Sequence, residues 1–396
     1  QALECSTNQL TTMNLNGMGL SSLRGLSCSD NQLTSINVSG MTTLENLSCR
    51  NNQLTAVSVS GLVNLKSLDC SYNLLTSLSI ASLSNFEILY CNNNSITTLN
   101  LTGAMNSFNM LNCTGNQLTT LNIPTLVNLA ELYCSNNQLT TLNTSNLLNL
   151  KTYDCSYNLM FSLNASGLPM LEYLNCSYNQ LTSLNVTNLA NLKGLGCNNN
   201  LLTSIDFTGL TSLTGLNFSY NALPTADLSV IPNLKEVLAG HNQQTSLNVN
   251  GLVNLEQLLC MNNLLTSLNV SGLTSLKVLW CDENQLTALD LSGLVNLEQL
   301  TCGNNQIPSL NFTGLNALIY IYCPFNPIPV LNVNSLTNLQ ALFCSDTLLT
   351  ALDVSGLTNL RNLQCANNAI PTLNVSGLTN LEYLFCRNNQ IPSLDL

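Results

Sequence analysis

The sequence predicts a mostly-β solenoid, a stack of about nineteen short coils over residues 1–396 in a single domain. Three observations predict it. A cysteine returns every 21 residues, from Cys28 to Cys91, from Cys113 to Cys197 and from Cys260 to Cys386. An asparagine stands three places after each cysteine position, from Asn8 to Asn389, and only Thr347 breaks the column. Leu lies two places before the cysteine in nearly every unit, and Leu or Phe lies five places before it. Self-similarity at a fixed period of this size is the mark of a stacked architecture, because one unit cannot bury its apolar residues alone.

Each element of the unit has a physical reason. The L-x-L-x-C stretch alternates with period two, so it forms a short strand with Leu and Cys turned inward. Successive strands then stack as a parallel sheet about 4.8 Å apart, which gives a solenoid roughly 90 Å long. The asparagine sits where the chain leaves the strand, and its amide can satisfy backbone groups that the bend leaves without partners. The return stretch L-T-x-L-N-V alternates again, and S-G turns the chain. Twenty-one residues leave little room for a helix there, so short extended or 3₁₀ pieces and modest curvature are expected. The steps of 23 residues (Cys5 to Cys28) and 22 residues (Cys91 to Cys113) place their extra residues on this return side, around Asn16–Ser22 and Thr102–Ser107. Loops tolerate such insertions. Phe218 and Ala239 take two cysteine places at unbroken spacing. A large residue beside a small one can conserve core volume across adjacent coils.

The unit L-x-x-L-x-C-x-x-N-x-L resembles the core of the leucine-rich repeat family, over essentially the whole chain. With Cys at the third core position and a 21-residue period, it is similar to the internalin-type repeats of bacterial surface proteins. The resemblance implies a leucine-rich repeat solenoid, the horseshoe counted in the α/β class and here mostly β. It also implies a secreted or cell-surface bacterial setting. Gln1 begins inside repeat sequence, Leu396 stops inside a unit, and no internalin-type cap or signal peptide is present. A segment of a longer protein is therefore expected, since solenoids need polar caps.

Composition excludes several classes. Only 7% of residues are charged and the net charge is −11. Nine Lys and Arg cannot track a nucleic-acid backbone or anchor the chain to an acidic membrane surface. No apolar run approaches the ~20 residues of a transmembrane helix. A lone histidine, His241, and the lack of any carboxylate pair at a defined spacing leave no familiar catalytic constellation. No cofactor or metal is called for. Zinc needs clustered ligands, and calcium needs converging carboxylates. Asp206, Asp227, Asp290, Asp353 and Asp395 instead spread along one column nine places after the cysteine, as turn residues. Asp282 and Glu283 are the nearest approach to a calcium pair.

Seven of the nine basic residues share another column, four places before the cysteine, where they alternate with acids. Arg24, Glu45, Lys66 and Glu87 begin it, and Arg361 and Glu382 end it. It reads as a charge ladder that fixes the stacking. The cysteines read as a ladder of buried thiols, since their number is odd and side chains that point the same way across a parallel ladder suit disulfide torsions poorly. The coil of His241, with Gln244 at an apolar position, reads as a packing defect or a kink.

The residues just before the cysteine, three before it and one after it face solvent on the concave side. Up to Asn217 the slot before the cysteine is mostly small or polar. It then holds Leu259, Trp280, Tyr322, Phe343 and Phe385, while the slot three before adds Val278, Tyr320 and Tyr383. Met261 and Asp282 stand in the slot after. Large exposed aromatics mark binding surfaces. The expected function is thus a non-catalytic module that recognises a protein or glycan through Leu259, Trp280, Asp282, Tyr320, Tyr322, Phe343, Tyr383 and Phe385. The alternative is a rigid spacer or an accessory subunit of a cell-envelope complex in the outer membrane.

Overall fold

The computed structural model describes residues 1–394 except 82, 104 and 124. Asp395 of the turn column and Ala104 of the second insertion therefore lie outside the described residues. The chain divides into two compact units, Gln1–Asn200 and Leu201–Leu396. In the first, ten three-residue strands run from Ala2–Glu4 to Gly194–Gly196. They pair in parallel, and Ser67–Asp69 meets Ile88–Tyr90 with no register slip. In the second, nine strands run from Gly215–Asn217 to Tyr383–Phe385 on the same plan. The return stretches are extended. Four pairs of them hydrogen-bond as two-stranded ladders: Thr12–Asn14 with Ser35–Asn37, Ser77–Ser79 with Thr98–Asn100, Ser162–Asn164 with Ser183–Asn185, and Thr225–Asp227 with Ser246–Asn248. No helix of the described residues is long and apolar enough to cross a membrane.

The middle residue of each strand points inward. Leu68, Leu89, Leu279 and Leu300 are fully buried there. The side chain of the cysteine position is buried next to it, and the cysteine N–H donates to the following coil (Cys281 N to Thr301 O, 2.7 Å). Some thiols add a weak bond in the same direction, such as Cys70 Sγ to Tyr90 O at 3.5 Å. Fifteen cysteines are buried and none forms a disulfide. Phe218 and Ala239 are buried in the same column.

The asparagine column joins coil to coil. Asn158 is typical. Its Nδ2 donates to Cys155 O (3.1 Å) and Ser156 O (3.2 Å) in its own coil and to Cys134 O (3.0 Å) in the preceding one. Its Oδ1 accepts the N–H of Leu139 in that preceding coil at 2.9 Å. One amide thus satisfies four backbone groups beside a core from which water is excluded. At Thr347 the pattern breaks. The Thr347 hydroxyl donates to Cys344 O at 2.7 Å, and the N–H of Ile328 turns back to Asn326 O at 2.9 Å. A second column of exposed asparagines also spans coils, as Asn64 Nδ2 does to Thr42 O (2.7 Å) and Asn296 Nδ2 to Thr274 O (2.8 Å).

The turn column behaves as its residue types suggest. Asp227 Oδ1 accepts the Ser229 N–H (3.1 Å) and hydroxyl (2.6 Å), and these bonds hold its carboxyl below the usual range. Asn164 does the same for Ser166. The S-G turn then needs a left-handed residue, as at Gly293 (φ 83°), which glycine adopts without steric cost. The charge column forms ion pairs between neighbouring coils: Arg24 and Lys66 on Glu45, Lys193 on Glu172 (2.6 Å), Lys277 on Glu256 (2.7 Å) and Arg361 on Glu382 (3.0 Å). The basic partner of each pair is about half exposed or more, so the pairs set alignment more than stability.

Replacing Asn158 with Ala strands the buried Leu139 N–H and removes one of the two donors on each of the Cys134, Cys155 and Ser156 carbonyls. The expected loss is roughly 3 kcal/mol in urea unfolding, while the exposed neighbour Gln138→Ala stays within about 0.5 kcal/mol. Equal midpoints for the two variants would refute the bridging role. The thiols give a pH dependence. Burial pushes Cys113, Cys260 and Cys323 up to about 12. The folded state thus keeps protons that the unfolded state releases above its ordinary thiol pKa. The stability contributed by each such thiol is complete below about pH 9 and falls by about 1.4 kcal/mol per pH unit up to about pH 12. An alkaline titration followed by circular dichroism should show early, cooperative unfolding that thiol-to-serine exchange at one coil does not abolish. A melting temperature flat from pH 8 to 11 would contradict it.

Candidate functional site

In the second unit the solvent face of the ladder is set by register. Leu259, Trp280, Thr301, Tyr322, Phe343, Gln364 and Phe385 stand side by side as the third residues of successive strands. Gln257, Val278, Gln299, Tyr320, Ala341, Asn362 and Tyr383 form the parallel row of first residues. Trp280 and Tyr322 are two coils apart, with the small Thr301 between them. Two coil spacings amount to about 9.6 Å, so the gap between the large rings stays open. A cleft of about 570 Å³ fills it. Its walls are Trp280, Tyr320 and Tyr322, and its floor includes Gln299 and Thr301. Met261 and Asp282 lie along one side. Ile319, Gln340 and Ala341 lie along the other. Ile319 and Gln340 occupy the column of alternating charges, which is uncharged here as it also is at Asn109, Ala130 and Thr214, so no ion pair of that ladder borders the cleft on these two coils.

The polar groups are few and placed. Thr301 is buried, and its hydroxyl donates to Asp282 Oδ1 at 2.5 Å. Burial pushes the phenol of Tyr322 up, with further contributions from Asp282 and Glu283. Burial also raises Tyr320, followed by Tyr322 and Asp282. Both phenols therefore stay protonated and keep a donor beside the carboxylate. The Trp280 Nε1–H is buried without a hydrogen-bond partner. An orphan donor has a desolvation cost, so the indole is a side chain held for its ring. Gly303 makes room for Tyr322: a Cβ there would meet Tyr322 Cε1 at 2.7 Å and Pro324 Cδ at 3.0 Å.

A family model described as Leucine Rich repeats (2 copies) matches residues 274–317, the segment that holds Trp280 and Thr301. Among solved structures, the functional domain of InlJ from Listeria monocytogenes, described as including a cysteine ladder, is 34% identical. The match covers 80% of this chain and 68% of that one, with a TM-score of 0.70. The chain belongs to the leucine-rich repeat family. Within it, this is an internalin-like repeat protein with a cysteine ladder. The leucine-rich effector YopM from Yersinia pestis is 26% identical over 83% of this chain and 84% of its own, with a TM-score of 0.64. The plant peptide hormone receptor RGFR1, solved in complex with RGF2, is 22% identical over 99% of this chain and 70% of its own, with a TM-score of 0.78. That last likeness concerns the fold alone. No curated protein sequence matches the chain significantly.

The leucine-rich repeat register brings four of the eight expected site residues into the cleft: Trp280, Asp282, Tyr320 and Tyr322. Phe343 backs it, tilted against Tyr320 (ring centroids 5.4 Å apart) and Tyr322 (5.9 Å). Leu259 stands one coil before Trp280, outside the lining. Tyr383 and Phe385 are exposed two coils beyond Phe343. Gln299, Thr301, Ile319 and Gln340 were not anticipated. Their one signal in the sequence is a small residue, Thr301, between two large rings; the uncharged Ile319 and Gln340 do not stand out, since the same column is uncharged at Asn109, Ala130 and Thr214.

A second surface row was also missed. The residue two places after the cysteine is left-handed coil after coil, at φ 52° for Asn51 and Tyr157, 54° for Tyr178 and 55° for His241 and Phe325. Asn suits that region, whereas a bulky side chain is strained in it. Stacking offsets the strain. Tyr157 lies 4.2 Å from Tyr178 in the first unit, and Tyr220 lies 4.1 Å from His241 in the second. The lone histidine is thus a member of this rim. The backbone of its coil is unkinked, since Glu236–Leu238 pairs in register on both sides. The defect lies in Gln244, which is fully buried with neither amide atom partnered. Gln244→Leu should raise stability by about 1–3 kcal/mol in urea unfolding. A destabilised variant would mean that the amide has a partner in solution.

Proposed function

We propose that this chain is a non-catalytic interaction module of a secreted or surface-exposed bacterial protein, binding a protein or glycan through the concave face of its second unit. The observation that carries this reading is the coincidence of the aromatic rows with the cleft. Trp280, Tyr320 and Tyr322 are large, half-buried rings on a face that the ladder itself does not need them to occupy. Such amphipathic rings, held rigid around a concavity, are the usual anchors of an interface. Leu259 and Phe343 extend the apolar surface along the third-residue row, and Tyr383 and Phe385 stand beyond the polar Asn362 and Gln364 as a second exposed aromatic pair.

Chemistry elsewhere is already engaged in structure. Fifteen of the seventeen thiols are buried in the core, and the exposed carboxylates of the turn column hold their own Ser and Thr neighbours. Among the described residues, the cleft itself carries one carboxylate and neither a histidine nor a cysteine. That set suits recognition better than acid–base turnover. The bacterial surface setting is carried by the likeness to the Listeria domain.

Capture from the source organism's envelope and surroundings tests this reading. The wild-type chain is compared with a Trp280→Ala, Tyr322→Ala, Phe343→Ala variant of matched circular dichroism. A partner retained by the wild type and lost by the variant, with at least about a tenfold drop in affinity, is the expected result. Equal retention would move the interface off this face. Retention by neither would favour a rigid spacer or an accessory subunit of an envelope complex.

A further inference from the structure

We infer that the cleft between Trp280 and Tyr322 takes a cationic side chain, the ammonium of lysine or the guanidinium of arginine, presented by a protein partner. The inference rests on the binding face proposed above and narrows its ligand. Three aromatic rings and one carboxylate, Asp282, surround a gap of side-chain width. No Lys or Arg lines it among the described residues. The nearest charged column is neutral there, at Ile319 and Gln340. Glu283 adds a second negative charge at the rim, and the whole chain carries −11.

Physical chemistry separates the candidate ligands. Ring faces attract cations and bury alkyl stems, which is the composition of a lysine or arginine side chain. A neutral sugar would also stack on the rings, but it would take the Asp282 carboxylate partly out of water with no opposite charge in exchange. An anionic ligand would meet Asp282 directly. The two phenols, kept protonated, supply polar contacts without competing charge. Of these ligands a cation is the one that compensates the Asp282 carboxylate and also suits the ring faces.

Trp280 is the only tryptophan, so its fluorescence reports on this cleft alone. The probes are Nα-acetyl-lysinamide and Nα-acetyl-argininamide, with Nα-acetyl-norleucinamide as the uncharged control and maltotriose and chitotriose as sugar controls. At least one cation should change the emission saturably in the millimolar range, and norleucinamide should not. Asp282→Asn preserves the bond to Thr301 and should weaken the cation about tenfold. Tyr322→Ala should weaken it comparably, and 0.5 M salt should weaken it in the wild type. A norleucinamide response equal to that of lysinamide, or an Asp282→Asn variant that binds as well as wild type, overturns the assignment. A trisaccharide response without a cation response overturns it too, and leaves the binding face standing with a glycan as its ligand. Silence toward every probe likewise overturns the cationic assignment, and the capture experiment then judges the face by itself.

Discussion

Everything here depends on one amide per coil. Between adjacent coils the backbone ladder covers each three-residue strand and a few residues on either side of it, and the chain must then bend away with its carbonyls turned toward a dry core. The asparagine side chain resolves that conflict, since it carries two donors and an acceptor on a short, stiff stem. It places Nδ2 among carbonyls of two coils and gives Oδ1 to an N–H of the coil before. Aspartate has the same shape but brings a charge and no donor. Threonine at 347 has the donor but too short a reach, and the backbone partners rearrange around it. The left-handed residue just before each asparagine is the geometric complement of that inward-turned amide.

Stacking by identical bonds has a second effect. It frees the solvent face of the ladder from most structural duty. The core is filled by Leu and Cys, the turns are held by Asn, Asp and Ser, and the coil edges are aligned by exposed ion pairs. Large residues in the first and third strand positions are then constrained chiefly by their neighbours across the ladder, while the Asp and Asn of the third position, such as Asp69 and Asn112, also hold the N–H two residues on. Around Trp280 those neighbours alternate large and small, and this alternation makes a cavity out of a flat sheet.

The sequence makes the periodic part of the molecule legible and hides what is not periodic. Cys28, Cys49 and Asn31, Asn52 announce the coil because every unit repeats the same solution to the same burial problem. The left-handed rim stays hidden because its occupants differ so widely: Asn51, Tyr72, Glu283, His241. A shared backbone conformation leaves no shared letter, apart from a surplus of asparagine. His241 does belong to a disturbed coil, but the disturbance is the packing at Gln244 and not a kink of the backbone. The rings of the cleft are visible as a change of composition in one column. The cleft itself is not, because it is defined by what stands between the rings, and Thr301 or Gln299 alone signals nothing. Phe343 backs the wall through its ring contacts with Tyr320 and Tyr322, whereas Tyr383 and Phe385 stand further along the two rows, outside the cavity.

The placement of Trp280 and Tyr322 two coils apart also bears on how such a surface can change. Their separation is not adjustable by degrees. It is a whole number of turns, and each turn is a self-contained 21-residue cassette that the next one accepts without adjustment. Loss of the Cys302 cassette would set the indole directly against the phenol and close the gap. A duplication would widen it to about 14 Å, room for a second side chain. Ligand width on this ladder is thus selected in discrete steps, by gain or loss of genetic repeats, while the anchoring rings keep their own chemistry.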